Sequence, residues 1–134
     1  RSPWVFEGLG GPPVRRKMVT LAKERRVMSE AQVLADVQKA LGKLPDLALW
    51  RNNIGSPDRI HHYGLPVGSA DLIGILSPTG RLIALECKSS TGKLRPEQIR
   101  WLTAVRAMGG FACVVRSADE ALSAITRARL GKSE

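Results

Sequence analysis

Residues 68–88 read Gly-Ser-Ala-Asp-Leu-Ile-Gly-Ile-Leu-Ser-Pro-Thr-Gly-Arg-Leu-Ile-Ala-Leu-Glu-Cys-Lys, and this stretch decides the fold. It contains two apolar runs rich in Leu and Ile, which are separated by the turn residues 77–80. Pro and Gly between two such runs are typical of a β-hairpin. We therefore predict two buried antiparallel strands.

Three charged residues interrupt this apolar hairpin, all at the same end of it. Asp71 opens the first strand, and Glu86 and Lys88 close the second. Because side chains alternate along a strand, Glu86 and Lys88 share one face of the hairpin, whereas Cys87 points to the other. We expect the first face to carry chemistry and the second to belong to the core.

The charged end of the hairpin predicts a metal site. Two converging carboxylates repel each other unless a cation lies between them, and hard oxygen ligands suit Mg²⁺ or Mn²⁺. An Asp, a Glu-x-Lys triplet and a divalent ion are suited to activating water against a phosphodiester, because the ion lowers the pKa of the water and the positive charges stabilise the developing oxyanion. The alternative is a salt-bridged strand end, in which Lys88 only neutralises the carboxylates of Asp71 and Glu86.

Three sequence features together resemble a known family. They are the residues 68–72, the triplet 86–88 and the downstream Gln98, and they are similar to the PD-(D/E)XK nucleases and, within them, to the stand-alone VRR-NUC domains of phages and bacteria. The resemblance covers roughly residues 28–117. The proline of the superfamily's name does not directly precede the aspartate, since Pro66 lies earlier in the chain.

This resemblance implies a fold, a cofactor and a set of site residues. The implied fold is an α/β restriction-endonuclease-like core, with a mixed β-sheet flanked by helices. The implied cofactor is Mg²⁺ or Mn²⁺, bound by Asp71, Glu86 and the backbone carbonyl of Cys87. The catalytic residues that the resemblance implies are Glu30, Asp71, Glu86, Lys88 and Gln98.

Glu30 stands in the first turn of a helix that we predict to start at Ser29, where Ser29 and Gln32 form a capping box. It shares the inward face of the apolar residues that follow, and the resemblance gives it a role in the active site. The helix dipole alone would also favour a carboxylate there. Gln98 lies near the start of a helix predicted over 96–108, where the resemblance implies that it orients Lys88 or the scissile phosphate. The alternative for Gln98 is a partly exposed first-turn residue.

The remaining elements follow from local patterns. Strands are predicted over 47–53 and 111–116, and a helix from a second capping box at Ser117 to about residue 129. The order of elements is then helix, strand, strand, strand, helix, strand, helix, which favours a mixed sheet flanked by helices. Cys87 and Cys113 fall in apolar runs and are interpreted as core thiols rather than as a zinc site or a disulfide.

The composition favours a polyanionic partner. Lys and Arg number 21 against 12 Asp and Glu, which gives a net charge of +9. Such a charge is typical of nucleic-acid binding, although it also promotes solubility alone. We expect DNA contacts from Arg51, Asn52, Lys93 and Arg95. His61 and His62 are adjacent in a polar loop, where contact with DNA or solvent is favoured over metal binding.

The chain is expected to divide into an arm, residues 1–27, and one nuclease domain, residues 28–134. The arm is rich in Gly and Pro, and we expect it to be flexible or partly foreign to the native chain, since Met18 and Met28 both fit as starts. No run is apolar enough for a membrane helix and no signal-peptide pattern is present, so a cytoplasmic protein of a bacterium or a phage-infected cell is expected.

Taken together, the sequence predicts a metal-dependent, structure-specific DNA endonuclease. A chain of 134 residues leaves no separate domain for substrate recognition. We therefore expect a homodimer that cuts branched DNA, with the four-way (Holliday) junction as the first candidate because its two-fold symmetry matches a two-fold dimer. Residues 4–6 and the helix after Ser117 are candidate interface elements. The alternatives are a flap-type nuclease and a non-catalytic basic DNA-binding module.

Overall fold

The computed structural model describes residues 5–6, 27–54 and 63–134. These residues form one β-sheet with helices on both faces. In chain order the elements are β1 (Val5–Phe6), α1 (Glu30–Leu41), β2 (Leu47–Arg51), β3 (Leu72–Leu76), β4 (Arg81–Cys87), α2 (Pro96–Ala107), β5 (Phe111–Val115) and α3 (Ala118–Arg129).

The five strands lie side by side in the order of the sequence, from β1 to β5. The pairs β2–β3 and β3–β4 are antiparallel, whereas β1–β2 and β4–β5 are parallel. The connection between the parallel strands β4 and β5 contains α2, as expected for strands that point the same way. The predicted hairpin is confirmed by the pairing of Leu72 with Leu85 and of Leu76 with Arg81. The predicted mixed sheet is confirmed as well.

Alternation along the strands assigns each side chain to one of two apolar layers. One layer lies between the sheet and the helices α1 and α3, and it contains Leu85 and Cys87 of β4. The other lies between the sheet and α2, and it contains Ala84 of β4 together with Leu102 and Val105 of α2. Glu86 has the same parity as Ala84 and therefore lies on the α2 face. Cys87 lies in the opposite layer, as predicted.

The predicted capping boxes form only in part. The Ser29 hydroxyl accepts a hydrogen bond from the Gln32 N–H at 3.2 Å, which caps α1 as expected. The Gln32 side chain does not return to Ser29 but donates to Asp36 at 2.8 Å, because residues four apart are neighbours on a helix surface. At α3, Ser117 likewise accepts from the Glu120 N–H at 3.1 Å.

At the charged end of the sheet, the strands are slightly shorter than the sequence predicts. The strand predicted over 47–53 ends at Arg51, although the Asn52 N–H still donates to the Asp71 carbonyl at 2.8 Å. Asp71 and Lys88 lie just outside β3 and β4 rather than within them. Both residues are therefore placed at a strand end, where a side chain can reach beyond the sheet.

Two regions of the prediction are only partly covered by the described residues. Val5–Phe6, which belong to the predicted arm, pair in parallel with Leu49 and Trp50 of β2. A strand of two residues is too short to show an alternating pattern, so β1 could not be predicted from the sequence. Trp4, the rest of the arm up to residue 26, and the loop with His61 and His62 lie outside the described residues.

Candidate active site

Charged and polar side chains meet at one end of the sheet, where β3 begins and β4 ends. Asp71 directly precedes β3, Glu86 is the penultimate residue of β4, and Gln98 lies in the first turn of α2. A cleft of about 170 Å³ opens there and is lined by these three residues, together with Asn52 and Arg95. The structure thus brings Asp71 and Glu86 together, as the hairpin predicted, and adds Gln98, as the family resemblance implied.

Glu86 is the most buried carboxylate of this cluster, with 3% of its surface exposed. Its Oε1 accepts a hydrogen bond from the Gln98 amide at 2.8 Å, whereas its Oε2 is buried without any hydrogen-bond partner. Burial, and after it the nearby Asp71 carboxylate, raises the pKa of Glu86 to about 8, although Lys88 opposes this shift. A buried oxygen without a partner is costly and calls for a cation or a proton.

Asp71 stands beside Glu86, one step beyond the paired residues Leu72 and Leu85. Its Oδ2 accepts a hydrogen bond from the Cys87 N–H at 2.8 Å, which fixes the carboxylate against the backbone of β4. Asp71 is only partly buried and lines the cleft, so it is open to solvent while it faces the buried Glu86. The two carboxylates therefore converge on the cleft, as the hairpin register requires.

The residues at this point fit a divalent cation. Glu86 offers an oxygen without a partner, and Asp71 adds a second carboxylate. Within residues 27–54 and 63–134, no group of three His, Cys, Asp or Glu side chains is close enough to form a metal cage. Two carboxylates suit Mg²⁺, which usually keeps several waters and is held by one or two carboxylates. The role of the Cys87 carbonyl stays a prediction.

Lys88 is buried to 4% exposure yet carries an ammonium group at the site. Its Nζ lies 3.5 Å from Glu30 Oε1 and 3.8 Å from Glu86 Oε1, so it is flanked by two carboxylates. The expectation that Glu30 faces inward is wrong, since 53% of its side chain is exposed. Glu30 nevertheless reaches Lys88 from the first turn of α1.

The Gln98 side chain forms a hydrogen bond with Glu86, a contact that the sequence did not predict. Gln98 is 7% exposed and therefore is not a partly exposed first-turn residue. Its Nε2 donates to Glu86, and its Oε1 accepts a hydrogen bond from the Arg95 N–H at 2.9 Å. It thus caps the start of α2 and holds the Glu86 carboxylate. The resemblance implied that Gln98 orients Lys88 or the scissile phosphate, and that role stays a prediction.

One residue of the site was not predicted at all. Arg116, just after β5, donates from Nη1 to the carbonyl of Ser89 and, at 2.8 Å, to that of Gly92. A Cβ added to Gly92 would lie 3.1 Å from Glu30 Oε1 and 3.4 Å from Lys88 Cδ. The turn from Ser89 to Gly92 therefore packs directly on Lys88 and Glu30, and Arg116 holds it there.

The four residues predicted to contact DNA have different roles. Arg51, Lys93 and Arg95 are exposed, and Arg95 also lines the cleft. The side-chain amide of Asn52 donates to Ser69 Oγ at 2.8 Å and to the Ala70 carbonyl at 2.9 Å. The Asn52 N–H groups therefore hold the chain just before Asp71, and a DNA contact from Asn52, which also lines the cleft, stays a prediction.

Cys87 and Cys113 are free and buried. Burial, and after it the Asp71 and Glu86 carboxylates, raises the pKa of the Cys87 thiol, and burial raises the pKa of Cys113 to about 11. Both thiols are therefore protonated near neutral pH, as expected for core residues rather than for nucleophiles.

The shifted pKa of Glu86 predicts how stability depends on pH in the absence of divalent ions. Folding raises this pKa from 4.5 to about 8, so the stabilising contribution is complete below pH 4.5 and is lost as the pH rises through 8. We expect this loss to be on the order of a few kcal/mol. It is measured by thermal denaturation of EDTA-treated protein between pH 5 and 9. The Glu86→Gln variant is the control, and an identical pH dependence in both proteins would contradict the assignment.

Replacing Gln98 by alanine is expected to lower metal affinity or turnover by about tenfold or more, because residues that orient metal ligands have effects of this size. The measurement is the metal-ion dependence of cleavage, together with the melting temperature. Gln32→Ala is the matched control, since Gln32 is an exposed first-turn glutamine that bonds to Asp36. A lower melting temperature with an unchanged metal-dependent rate would assign Gln98 a purely structural role.

Replacing Arg116 by alanine is expected to lower turnover about tenfold, because a small displacement of a catalytic group is enough for such a loss. Affinity for DNA should change much less. Arg129→Ala removes the same charge from an ion pair with Asp46 and serves as the control. Equal losses in both variants would show that net charge, and not the turn beside Lys88, determines the rate.

One comparison with known proteins identifies the family of this chain. No described helix has the length and apolarity to cross a bilayer. The comparison with curated proteins returned no match. The comparison with protein families matches residues 17–119 to the VRR-NUC domain. Since this match spans more than half of the sequence, the chain belongs to the VRR-NUC family, a nuclease domain of the restriction-endonuclease-like superfamily.

Proposed function

We propose that this protein is a Mg²⁺- or Mn²⁺-dependent endonuclease that hydrolyses phosphodiester bonds in branched DNA. The observation that carries the proposal is the buried Glu86 Oε2 without a partner, in a cleft shared with Asp71. Asp71 and Glu86 would hold the ion, with the Cys87 carbonyl as the expected third protein ligand. A bound divalent ion supplies Lewis acidity and lowers the pKa of water.

The protein's own residues position the reacting groups around this point. Lys88 presents a buried ammonium within 4 Å of both Glu30 and Glu86. Its charge can orient the attacking water and stabilise the negative charge that develops on the phosphate oxygens in the transition state. Glu30 keeps the ammonium in place from the solvent side, and Gln98 fixes the orientation of Glu86.

The DNA is held by basic residues at the mouth of the cleft. Arg95 lines the cleft directly before α2, and Lys93 is exposed close to it in the sequence. Backbone N–H groups at a helix N-terminus also attract phosphate, and the start of α2 faces this cleft. The net charge of +9 adds a general attraction to nucleic acid, which depends on salt. Contacts of this kind bind the backbone of any sequence.

The preferred substrate in this proposal is a four-way junction, cut by a homodimer. A junction has approximate two-fold symmetry and requires two matched incisions, which two active sites related by a dyad can deliver. An apolar patch supports self-association, since Ile75 and Leu82 pair directly across β3 and β4 and are 44% and 38% exposed. Of the interface elements expected from the sequence, α3 exposes Leu122 at its surface, whereas Val5–Phe6 pair within the sheet of the same chain.

A panel of DNA structures tests this proposal. Duplex, flap, splayed-arm and four-way-junction DNA are incubated with the protein and Mg²⁺ or Mn²⁺, and the oligomeric state is measured by light scattering at micromolar concentration. We expect a dimer that cleaves the four-way junction faster than the other three DNA structures. A monomer that cuts flaps faster than junctions would instead indicate a flap-type nuclease, and tight metal-independent binding without cleavage would indicate a DNA-binding module.

A further inference from the structure

Apolar side chains are exposed to solvent at the edge of the cleft. Tyr63 is 58% exposed, Leu65 is 42% exposed and Val67 is 65% exposed, and Pro66 between them is exposed too. We refer to residues 63–67 as the apolar ridge. Single exposed apolar residues need no explanation, but a group of them in consecutive positions beside a functional site indicates a binding surface.

The apolar ridge is fixed at both ends by glycines in the left-handed region. Gly64 has φ +82°, and a Cβ there would lie 2.7 Å from the Asn53 carbonyl oxygen. Gly68 has φ +95°, and a Cβ there would lie 2.5 Å from the Glu97 carbonyl oxygen. Only glycine permits both the conformation and the close approach. The ridge is therefore held against the residues that follow β2 on one side and against the start of α2 on the other.

A turn stiffens the ridge further. The Ser69 N–H donates to the Pro66 carbonyl at 3.0 Å, and proline fixes its own φ. The backbone of such a segment loses little conformational freedom on binding, which favours the use of its apolar surface for recognition. The exposure of Leu65 and Val67 is thus a property of an anchored segment.

The ridge continues directly into the candidate active site. Val67 lines the same cleft as Asp71, Glu86 and Arg95. A phosphate bound between Arg95 and the carboxylates therefore places the adjoining nucleotides beside residues 63–67. In a continuous duplex the faces of the bases are stacked on one another. They become accessible at a branch, a flap or a kinked step.

We propose that the apolar ridge is a wedge that contacts unstacked bases next to the scissile phosphate, and that it selects DNA with a branch point. This inference rests on the proposed nuclease function and specifies the substrate of that site. Apolar side chains such as Leu and Pro insert between base steps in DNA-bending proteins, and aromatic side chains stack on exposed bases. Leu65 with Pro66 fits the first role, and Tyr63 fits the second.

A nucleic acid fits the ridge better than a protein does. Arg95 lines the cleft beside the ridge, and the chain as a whole carries a charge of +9. A protein seated on Val67 would also cover the mouth of the cleft and so compete with the substrate. A nucleic acid avoids this competition, because one DNA molecule can contact the ridge and reach the carboxylates at the same time.

The binding test uses Asp71→Asn protein, so that no cleavage occurs, and a junction or flap with 2-aminopurine beside the branch point. We expect the fluorescence of 2-aminopurine to change on binding, as its stacking is altered. Adding Leu65→Ser or Tyr63→Ala should abolish most of this change and weaken binding of the branched DNA about tenfold. The control is Met108→Ser, which alters an 88% exposed residue at the other end of α2.

The cleavage test compares rates on branched and duplex DNA for the same ridge variants in the otherwise intact protein. The ratio of the two rates should fall about tenfold in Leu65→Ser and Tyr63→Ala, but not in Met108→Ser. An unchanged ratio together with an unchanged 2-aminopurine signal would overturn the wedge, as would a change in oligomeric state in the ridge variants. If intact protein cleaves no DNA at all, the proposed function fails, whereas the binding test still decides the role of the ridge.

Discussion

Replacing Lys88 by alanine is expected to lower the rate of DNA cleavage by on the order of a hundredfold or more, which is the usual loss when a group that stabilises the transition state is removed. The ammonium lies between Glu30 and Glu86 and is 4% exposed. It therefore acts in a site of low effective dielectric, where a fixed charge is worth more than in water. The measurement is the single-turnover rate at saturating protein.

The matched control for Lys88 is Lys93→Ala, which removes the same charge from an exposed position. Lys93 is expected to contact phosphate, so this change should weaken binding and reduce its salt dependence rather than the single-turnover rate. Lys88→Met, which keeps most of the side-chain volume, separates loss of charge from loss of packing. A Lys88→Ala protein that cuts within a fewfold of the unchanged protein would show that the assignment of Lys88 is wrong.

Replacing Asp71 by asparagine should abolish metal-dependent cleavage while the fold is retained. Asparagine keeps the shape of the side chain and an oxygen that can accept the hydrogen bond from the Cys87 N–H. The variant loses one of the two carboxylates that we propose to hold the ion, so we expect a loss of at least a hundredfold in rate. Binding of branched DNA should stay close to normal, because the basic surface provides most of that affinity.

The stability of the Asp71→Asn protein provides a second readout. The Asp71 carboxylate helps to raise the pKa of Glu86, so its removal should lessen the cost of ionising Glu86. The metal-free variant should therefore be as stable as the unchanged protein near pH 8, or more stable. Loss of activity with a higher melting temperature is expected of a functional residue that strains the fold. A marked loss of both would assign Asp71 to the structure instead.

Much of the sheet and of the site could be predicted because the signals are local. Turn residues at 77–80 separate two apolar runs, and strand alternation alone places Glu86 and Cys87 on opposite faces. The same hairpin register sets Asp71 beside Glu86. The position of the two carboxylates that we propose to bind metal therefore follows from periodicity and turn chemistry, without knowledge of how the helices pack.

The contacts that were missed depend on packing between distant elements. Gln98 bonds to Glu86 because of the position of α2 on the sheet, which no local pattern specifies. Arg116 reaches Ser89 because β5 pairs in parallel with β4, which places the residue after β5 next to Lys88. Knowledge of the strand order would have predicted this contact. The hydrogen bond from the Asn52 amide was not predicted for a similar reason, since its partner Ser69 lies in another segment.

We propose that the carboxylates of Asp71 and Glu86 support cleavage of DNA through a divalent ion. The most direct test is the single-turnover cleavage of branched DNA by EDTA-treated protein, before and after Mg²⁺ or Mn²⁺ is restored. We expect no cleavage in EDTA, recovery with either ion, and no recovery in Asp71→Asn protein. Equal cleavage with and without the ion, or full recovery in the Asp71→Asn protein, would contradict it.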